Sequence, residues 1–132
     1  MSEILIIDSD RAARMYLKLI LTEAGCGTNG GYESGHEVAE AHTVAEGLRR
    51  LTSGSFDLVF LGDRVGDHSG AEFLGMAKSY DLAVGSFMVL LSNDPLVHAD
   101  LDMRGLSPVV LPAFPTAEKA LWLAETCVLA RV

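Results

Sequence analysis

The chain has 132 residues, of which 49% are hydrophobic and 21% charged, and its formal net charge is −8. This length predicts one domain spanning residues 1–132, because domains usually contain about 100 to 150 residues. Nucleic-acid phosphates require clustered Lys and Arg, and the ten cations here are scattered, so direct contact with nucleic acid is excluded. No apolar run approaches the roughly 20 residues of a membrane span, and the start of the chain lacks the basic residues of a signal peptide. We therefore expect no contact with a membrane. The two cysteines have neither metal nor disulfide spacing, which is typical of a cytoplasmic protein.

Strands and helices alternate along the chain. Apolar runs of strand length occur at 4–7, 57–62, 86–91 and 109–111, and a short, weakly alternating stretch of strand length occurs at 36–41. Helical spacing of apolar residues or helix-capping signals follow each run, at 11–24, 43–51, 70–80, 95–104 and 116–130. This alternation predicts an α/β fold in which helices cover both faces of a parallel sheet. The favoured arrangement is the flavodoxin-like, doubly wound (βα)5 fold with strand order 2-1-3-4-5.

Local signals set the expected ends of these elements. Gly25 is expected to end the first helix, and a glycine-rich insertion of unknown role follows at about 26–35. Thr43 and Glu46 have the spacing of a capping box at the start of the second helix. The short, weakly alternating second strand is expected at an edge of the sheet, and Pro95 is expected in the first turn of the fourth helix.

Polar residues follow the first and third predicted strands. Asp8, Ser9 and Asp10 come directly after the first strand, and Gly62 and Asp63 after the third. In a flavodoxin-like sheet these two strand ends meet at the crevice where ligands bind. The sequence therefore predicts a pocket formed by these five residues.

The order of these blocks resembles the receiver domain of bacterial two-component response regulators. Ile4 to Arg14, ILIIDSDRAAR, is similar to the acidic first strand and helix of a receiver, and His36 to Leu51 to the second βα unit. Phe56 to Leu74 is similar to the phosphorylation-site strand, loop and helix. Gly105 to Phe114 is similar to the segment that ends in a Lys-Pro-Phe motif. The resemblance covers nearly the whole chain apart from the insertion, and it implies a signalling domain in a phosphorelay.

The resemblance also implies that the phosphoryl chemistry of the family is degraded. Gly62 stands at the phosphoacceptor position, and glycine has no side chain to accept a phosphoryl group. Asp8 matches the first acidic residue of the Mg²⁺ site, whereas Ser9 stands at the second, where a hydroxyl is a poor ligand for a hard dication. Pro112 replaces the lysine that offsets the phosphate charge.

The rest of the switch machinery is only partly retained. Val109 replaces the aromatic switch residue, and Ala113 replaces the proline that follows the lysine. Ser92, at the hydroxyl position, and Phe114 are retained. We therefore expect a pseudo-receiver in which Asp8, Ser9, Asp10, Ser92 and Pro112 are remnants of a pocket, with no catalytic residue and no cofactor.

Asp63 is the one residue in the sequence that keeps an active alternative open. It lies one position beyond the expected acceptor, and with Asp8 it provides a weak candidate Mg²⁺ site. A one-residue shift along a strand re-aims the side chain to the other face, although a bulge at Gly62 would correct this. The alternatives are thus an active phospho-receiver that uses Asp63, and a small-molecule sensor that uses the vacated pocket beside Asp8 and Gly62.

Other enzyme motifs are missing from the sequence. Neither a GxSxG motif, nor a dinucleotide-binding GxGxxG after a strand, nor a clustered histidine site occurs, so no enzymatic activity is expected.

The last helix suggests a binding surface for a protein. Ala117, Leu121, Ala124 and Val128 are expected on its buried side, yet Trp122, Leu123, Leu129 and Ala130 make it apolar on other sides as well. Tryptophan is enriched at interface hot spots. In receivers the face of helix four, strand five and helix five commonly binds partners, which implies a protein partner or a homodimer through Trp122, Leu129 and Val109.

Overall fold

A computed structural model describes residues 3–27, 37–82 and 85–130, with helices on both sides of a central sheet. The described residues form seven strands: β1 (Glu3–Ile7), β2 (Glu37–Ala41), β3 (Leu58–Leu61), β4 (Arg64–Val65), β5 (His68–Ser69), β6 (Phe87–Leu91) and β7 (Val109–Leu111). They also form five helices: α1 (Arg11–Gly27), α2 (Val44–Ser53), α3 (Gly70–Ser79), α4 (Val97–Met103) and α5 (Ala117–Ala130). The five predicted strands and five predicted helices are all present.

The central sheet is parallel and has the order β2-β1-β3-β6-β7. Because β4 and β5 form a separate small hairpin, this order is the predicted 2-1-3-4-5 when only the sheet strands are counted. The flavodoxin-like fold class is confirmed, and β2 lies at an edge as expected. None of the helices in the described part of the chain is long and apolar enough to cross a membrane.

Alternation along the central strands divides the buried side chains into two cores. Neighbouring strand residues point to opposite faces, so Ile4 and Ile6 join one core while Leu5 and Ile7 join the other. The first core contains Phe73 of α3 and Leu51 of α2; the second lies beneath α1 and α5. In the inner strands β1 and β3, residues Ile4–Ile7 and Leu58–Leu61 are buried on both faces of the sheet, which explains their continuous apolar sequences.

The predicted capping of α2 is confirmed with one difference in the partner of the glutamate. The Thr43 hydroxyl accepts a hydrogen bond from the Glu46 amide at 3.1 Å, as expected. The Glu46 carboxylate reaches one residue further back than a capping box requires and accepts from the His42 amide at 2.9 Å. A full capping box occurs instead at α3, between Ser69 and Glu72.

Two helix ends differ from the prediction. α1 continues through Gly25 to Gly27, because one glycine costs a helix only about 1 kcal/mol and is a weak stop signal. The first two residues of the expected insertion therefore belong to α1, and residues 28–36 lie outside the described part of the chain. α4 begins at Val97 rather than Pro95, since a turn precedes it and Leu96 provides no side-chain cap.

The buried face of α5 is rotated from the predicted one. Ala120, Leu123 and Ala124 are buried, whereas Ala117 is exposed and Leu121 only half-buried. The reason is that α5 packs against both α1 and the sheet, which selects the face presented to two neighbours at once. Tyr80, the last residue of the predicted helix 70–80, caps the end of α3 and is 67% exposed.

Close packing fixes Gly47 in the middle of α2. A β-carbon at this position would lie 2.8 Å from Cζ and 2.9 Å from Cε2 of Phe73, and 3.2 Å from Cγ2 of Ile7. Both neighbours are fully buried and have no free space to move into. Glycine at this position therefore lets α2 approach the sheet closely.

Candidate functional site

The carboxyl ends of β1, β3 and β6 bring together three of the predicted pocket residues. Asp8 follows β1 and its amide donates to the Ala41 carbonyl at 3.0 Å. Gly62 follows β3 and its amide donates to the Ile7 carbonyl at 2.7 Å, while Ser92 follows β6. These bonds extend the ladders of the sheet by one residue, so the three residues lie side by side at one edge of the sheet.

The Asp8 carboxylate lies directly over the α-carbon of Gly62. A β-carbon built on Gly62 would overlap the carboxylate carbon and both carboxylate oxygens of Asp8. The φ angle of Gly62 is not in the left-handed region, so the need for glycine comes from this close approach and not from the backbone conformation. The side chain of Asp8 occupies the volume into which a side chain at position 62 would project.

The environment of Asp8 disfavours its ionised form. Only 6% of the residue is exposed, and this burial is the largest cause that raises the pKa of its carboxyl group. The hydrogen bond that Oδ1 accepts from the Asp10 amide, at 2.9 Å, opposes the shift, and the charges of Asp10 and Asp63 add to it. The net result is a raised pKa.

Arg14, the cation whose charge acts on the Asp8 carboxyl group, is bonded to other groups. Arg14 Nη1 donates to the backbone carbonyl of Asp8 at 2.7 Å, and Arg14 Nε lies 3.4 Å from the Glu40 carboxylate. The charge of Arg14 lowers the pKa of Asp8 only as a lesser cause. The guanidinium therefore braces β1 against β2 and forms no direct pair with the Asp8 carboxylate.

Ser9 and Asp10 serve the local backbone. The amide and the hydroxyl of Ser9 both donate to the Arg64 carbonyl, at 3.0 and 2.9 Å. Asp10 accepts from the Ala12 amide at 2.9 Å and so caps the N-terminus of α1. Both residues are exposed, and each has its polar side-chain group bonded outside the space beside Gly62.

Sequence reasoning missed the hairpin formed by β4 and β5, which follows Asp63. Its turn is Gly66-Asp67, with φ of +64° at Gly66, and glycine at the first central position is typical of a type II′ turn. A Gly-Asp pair between two short runs is a recognised hairpin signal, so the sequence did contain the information. The hairpin is joined to β1 through the two bonds from Ser9 to Arg64.

Asp63 lies in the bend between β3 and this hairpin and is exposed. Because β3 already ends at Leu61, strand parity does not decide where the side chain of Asp63 points. The Asp63 carbonyl accepts from the Gly70 amide at 2.9 Å, and a β-carbon at Gly70 would overlap the Gly62 carbonyl oxygen. Two glycines thus let the loop fold tightly against the end of β3.

The residues at this edge do not fit a Mg²⁺ ion. Magnesium is usually held by carboxylates together with water and phosphate oxygens. One oxygen of Asp8 already accepts from Asp10, Gly62 has no ligand atom, and the Ser9 hydroxyl donates to Arg64. Within residues 3–27, 37–82 and 85–130, no three or more His, Cys, Asp or Glu side chains are grouped so that they could hold a metal ion.

Ser92 and Pro112 are also committed to the loops in which they lie. Ser92 is buried, and its hydroxyl accepts from the Asp94 amide at 3.0 Å in the turn before α4. Pro112 is exposed in the connection from β7 to α5, where the next amide, of Ala113, donates to Asn93 at 3.1 Å. Position 112 therefore supplies no ammonium group to this edge of the sheet.

The predicted interaction residues are only partly described. Trp122 is 57% exposed, with Lys119 Nζ 5.4 Å from its ring centre, and Val109 is 39% exposed. The side chain of Leu129 lies outside the described residues. Met103, on α4, is a further exposed apolar residue that the sequence did not single out.

No protein-family model matches the chain, and no curated protein matches it in sequence. Solved structures of receiver domains do match. Chemotaxis protein CheY4 of Vibrio cholerae has a TM-score of 0.74 at 18% identity, covering 96% of this chain and 98% of that one. The receiver domain of NtrX from Brucella abortus has a TM-score of 0.71 at 20% identity, with 96% and 98% covered. A CheY-like response regulator receiver domain protein from Methanospirillum hungatei has a TM-score of 0.69 at 24% identity, with 99% and 97% covered.

The chain has the receiver fold. Identities this low establish the fold and nothing finer. The resemblance found in the sequence is therefore confirmed for the fold. The solved structures do not establish whether this chain can be phosphorylated.

Proposed function

We propose that the chain is a receiver-like signalling domain that is not phosphorylated in the usual way and that acts through protein–protein contacts. The observation that carries this proposal is the position of the Asp8 carboxylate over Gly62. An acceptor side chain at position 62 would need that volume, and glycine supplies no acceptor. The carboxylate of Asp8, itself a predicted pocket residue, occupies this part of the pocket.

The charges around Asp8 support the same proposal. Phosphoryl transfer develops negative charge that a metal ion and cations must stabilise. Here Asp10 and Asp63 add negative charge near Asp8, and Pro112 stands at the position of the family lysine. An incoming phosphodonor would meet carboxylates without a compensating ammonium group.

Phosphorylation of Asp63 is the competing function. The exposure of its side chain makes it accessible to a small donor. The objection is chemical. In the part of the chain that the structure describes, no group of His, Cys, Asp and Glu side chains could hold a metal ion to stabilise the transferred group, and Pro112 stands at the position of the family lysine. The small-molecule alternative in the vacated pocket is disfavoured by the Asp8 carboxylate, which fills the space over Gly62.

Intact-mass spectrometry tests the proposal directly. The protein is incubated with Mg²⁺ and acetyl phosphate beside a phosphorylatable receiver domain that verifies the donor. We expect no phosphoryl adduct on this chain. An adduct that disappears in Asp63→Asn would establish the competing function and overturn ours. Native mass spectrometry of the purified protein would in turn detect a co-purifying ligand.

The protein contact is proposed on the face of α4, β7 and α5, with a second copy or another protein as the partner. A tryptophan that is 57% exposed leaves much apolar surface in water, which a bound protein would cover. Sedimentation of the wild type, Trp122→Ala and the control Tyr80→Ala measures self-association. We expect a dimer that is lost only in Trp122→Ala; a wild type that stays monomeric at high concentration would exclude the homodimer.

A further inference from the structure

We propose that a cavity at the amino ends of β6 and β7 binds a small molecule with an apolar body and a single carboxylate. The cavity has a volume of about 350 Å³ and lies between α3, the start of β6 and the connection from α4 to β7. It is at the opposite edge of the sheet from Asp8 and Gly62, so it is independent of the proposed loss of phosphorylation. Its volume is at the lower end of the range for small-molecule sites, about 300 to 1,000 Å³.

The cavity reaches down to the hydrophobic core. Leu74 and Leu106 line it and are only 8% and 6% exposed, and Met88, which also lines it, packs against the same core cluster. Phe87, the first residue of β6, lines it as well and is 40% exposed, although it is large and apolar. A ligand with an apolar body would remove this surface from water.

The charged group among the residues that line the cavity is the ammonium of Lys78. Its Nζ donates to the Gly105 carbonyl at 3.2 Å, which directs the side chain from the end of α3 toward the end of α4. An ammonium group has three N–H donors, and this bond uses one of them. The other donors and the positive charge are available to an anion at the rim of the cavity.

Hydrogen bonds hold the lining in place before any ligand binds. Gly105 has φ of +70° and ends α4, and the following amide, of Leu106, donates to the Leu101 carbonyl at 2.9 Å. On the other side, the Ser86 hydroxyl donates to the Phe56 carbonyl. A preformed site avoids the entropic cost of ordering its walls when a ligand binds.

The charge of the site favours a monoanion. One lysine is a single point charge, and the protein carries a net charge of −8, which opposes the approach of polyanions such as nucleotides. A carboxylate at Lys78, with its hydrocarbon part toward Leu74 and Leu106, satisfies both the polar rim and the apolar floor. We therefore assign the site to small aromatic or aliphatic monocarboxylic acids.

The test is a titration with 3-phenylpropionate, followed through amide chemical shifts in ¹⁵N-labelled protein. We expect saturable shifts at Lys78, Met88 and Leu106, with a Kd on the order of 1 mM, as expected for a ligand of this size. The neutral analogue 3-phenylpropanamide should bind about fivefold more weakly, because it lacks the charge that pairs with the ammonium.

Substitutions separate the roles of charge and cavity. Lys78→Met keeps the apolar stem and should weaken binding of the acid about fivefold while leaving binding of the amide unchanged. Lys119→Met removes a cation beside Trp122 and should leave both affinities unchanged. The proposal is overturned if no saturable shifts occur at the cavity, if acid and amide bind wild type equally, or if the two lysine variants behave alike.

Discussion

Replacement of Gly62 by alanine should destabilise the wild-type protein. The added β-carbon would overlap the Asp8 carboxylate, which is buried and held by the Asp10 amide. Forcing one extra carbon into a packed site typically costs about 1–3 kcal/mol, because neighbouring groups must leave their preferred positions. We expect Gly62→Ala to cost an amount in this range.

The same substitution should have the opposite sign once Asp8 is truncated. In the Asp8→Ala background the overlapping carboxylate is gone, and the φ angle of Gly62 is not left-handed. Alanine then stabilises by about 0.4–1 kcal/mol, because it reduces the freedom of the unfolded chain. The difference between the two backgrounds is therefore about 1–4 kcal/mol, well above the roughly 0.5 kcal/mol within which independent substitutions add.

Urea unfolding of the wild type, the two single variants and the double variant measures this coupling. Thermal unfolding provides a second readout, with a shift in Tm of roughly 3–5 °C per kcal/mol for a chain of this size. If Gly62→Ala has the same effect with and without the Asp8 carboxylate, then the carboxylate does not occupy the volume into which a side chain at position 62 would project. The steric basis of the proposed function would be refuted.

Three further predictions concern stability. Asp8→Asn should become more stable relative to wild type as pH rises from about 4 toward 7, because burial raises the pKa of Asp8 above its ordinary 3.8 and the ionised carboxylate opposes folding. Urea unfolding at several pH values measures the difference in unfolding free energy between the two proteins, and a difference that does not change with pH would contradict this prediction. Gly47→Ala should destabilise the protein by about 1–2 kcal/mol despite the better helix propensity of alanine, because of the close packing of α2. The control Gly75→Ala, where a β-carbon meets nothing within 4 Å, should stabilise it by about 0.5–1 kcal/mol, and equal effects of the two substitutions would rule out close packing as the cause. Ser69→Ala removes the cap of α3 and should lower the free energy of unfolding by about 1 kcal/mol, as measured by thermal unfolding. Ser79→Ala, at the other end of the same helix, should have a smaller effect, and the reverse ranking would argue against the capping box.

The alternation of strands and helices was predictable because its signals are local. Buried parallel strands have continuous apolar sequences, as in Ile4–Ile7. Thr43 indicated the start of α2, because its hydroxyl accepts a hydrogen bond from the Glu46 amide three residues later. The predicted helix ends were less reliable, because Gly25 and Pro95 are only weak signals for the end or start of a helix. α1 continues to Gly27, and α4 begins at Val97. Contact with α1 and the sheet determines which face of α5 is buried. Because α5 is apolar on several sides, its helical periodicity does not predict the buried face.

The sequence by itself determined the receiver fold, the glycine at position 62 and the proline at position 112, because residue identity and strand order are written in the chain. Only the tertiary structure decided that the Asp8 carboxylate occupies the space beside Gly62, since the two residues are far apart in sequence and meet through the pairing of β1 with β3. The same is true of the cavity beside Lys78, whose lining comes from three separate elements that only packing brings together. Local signals fix the elements, and side-chain volume and charge across strand ends fix the site.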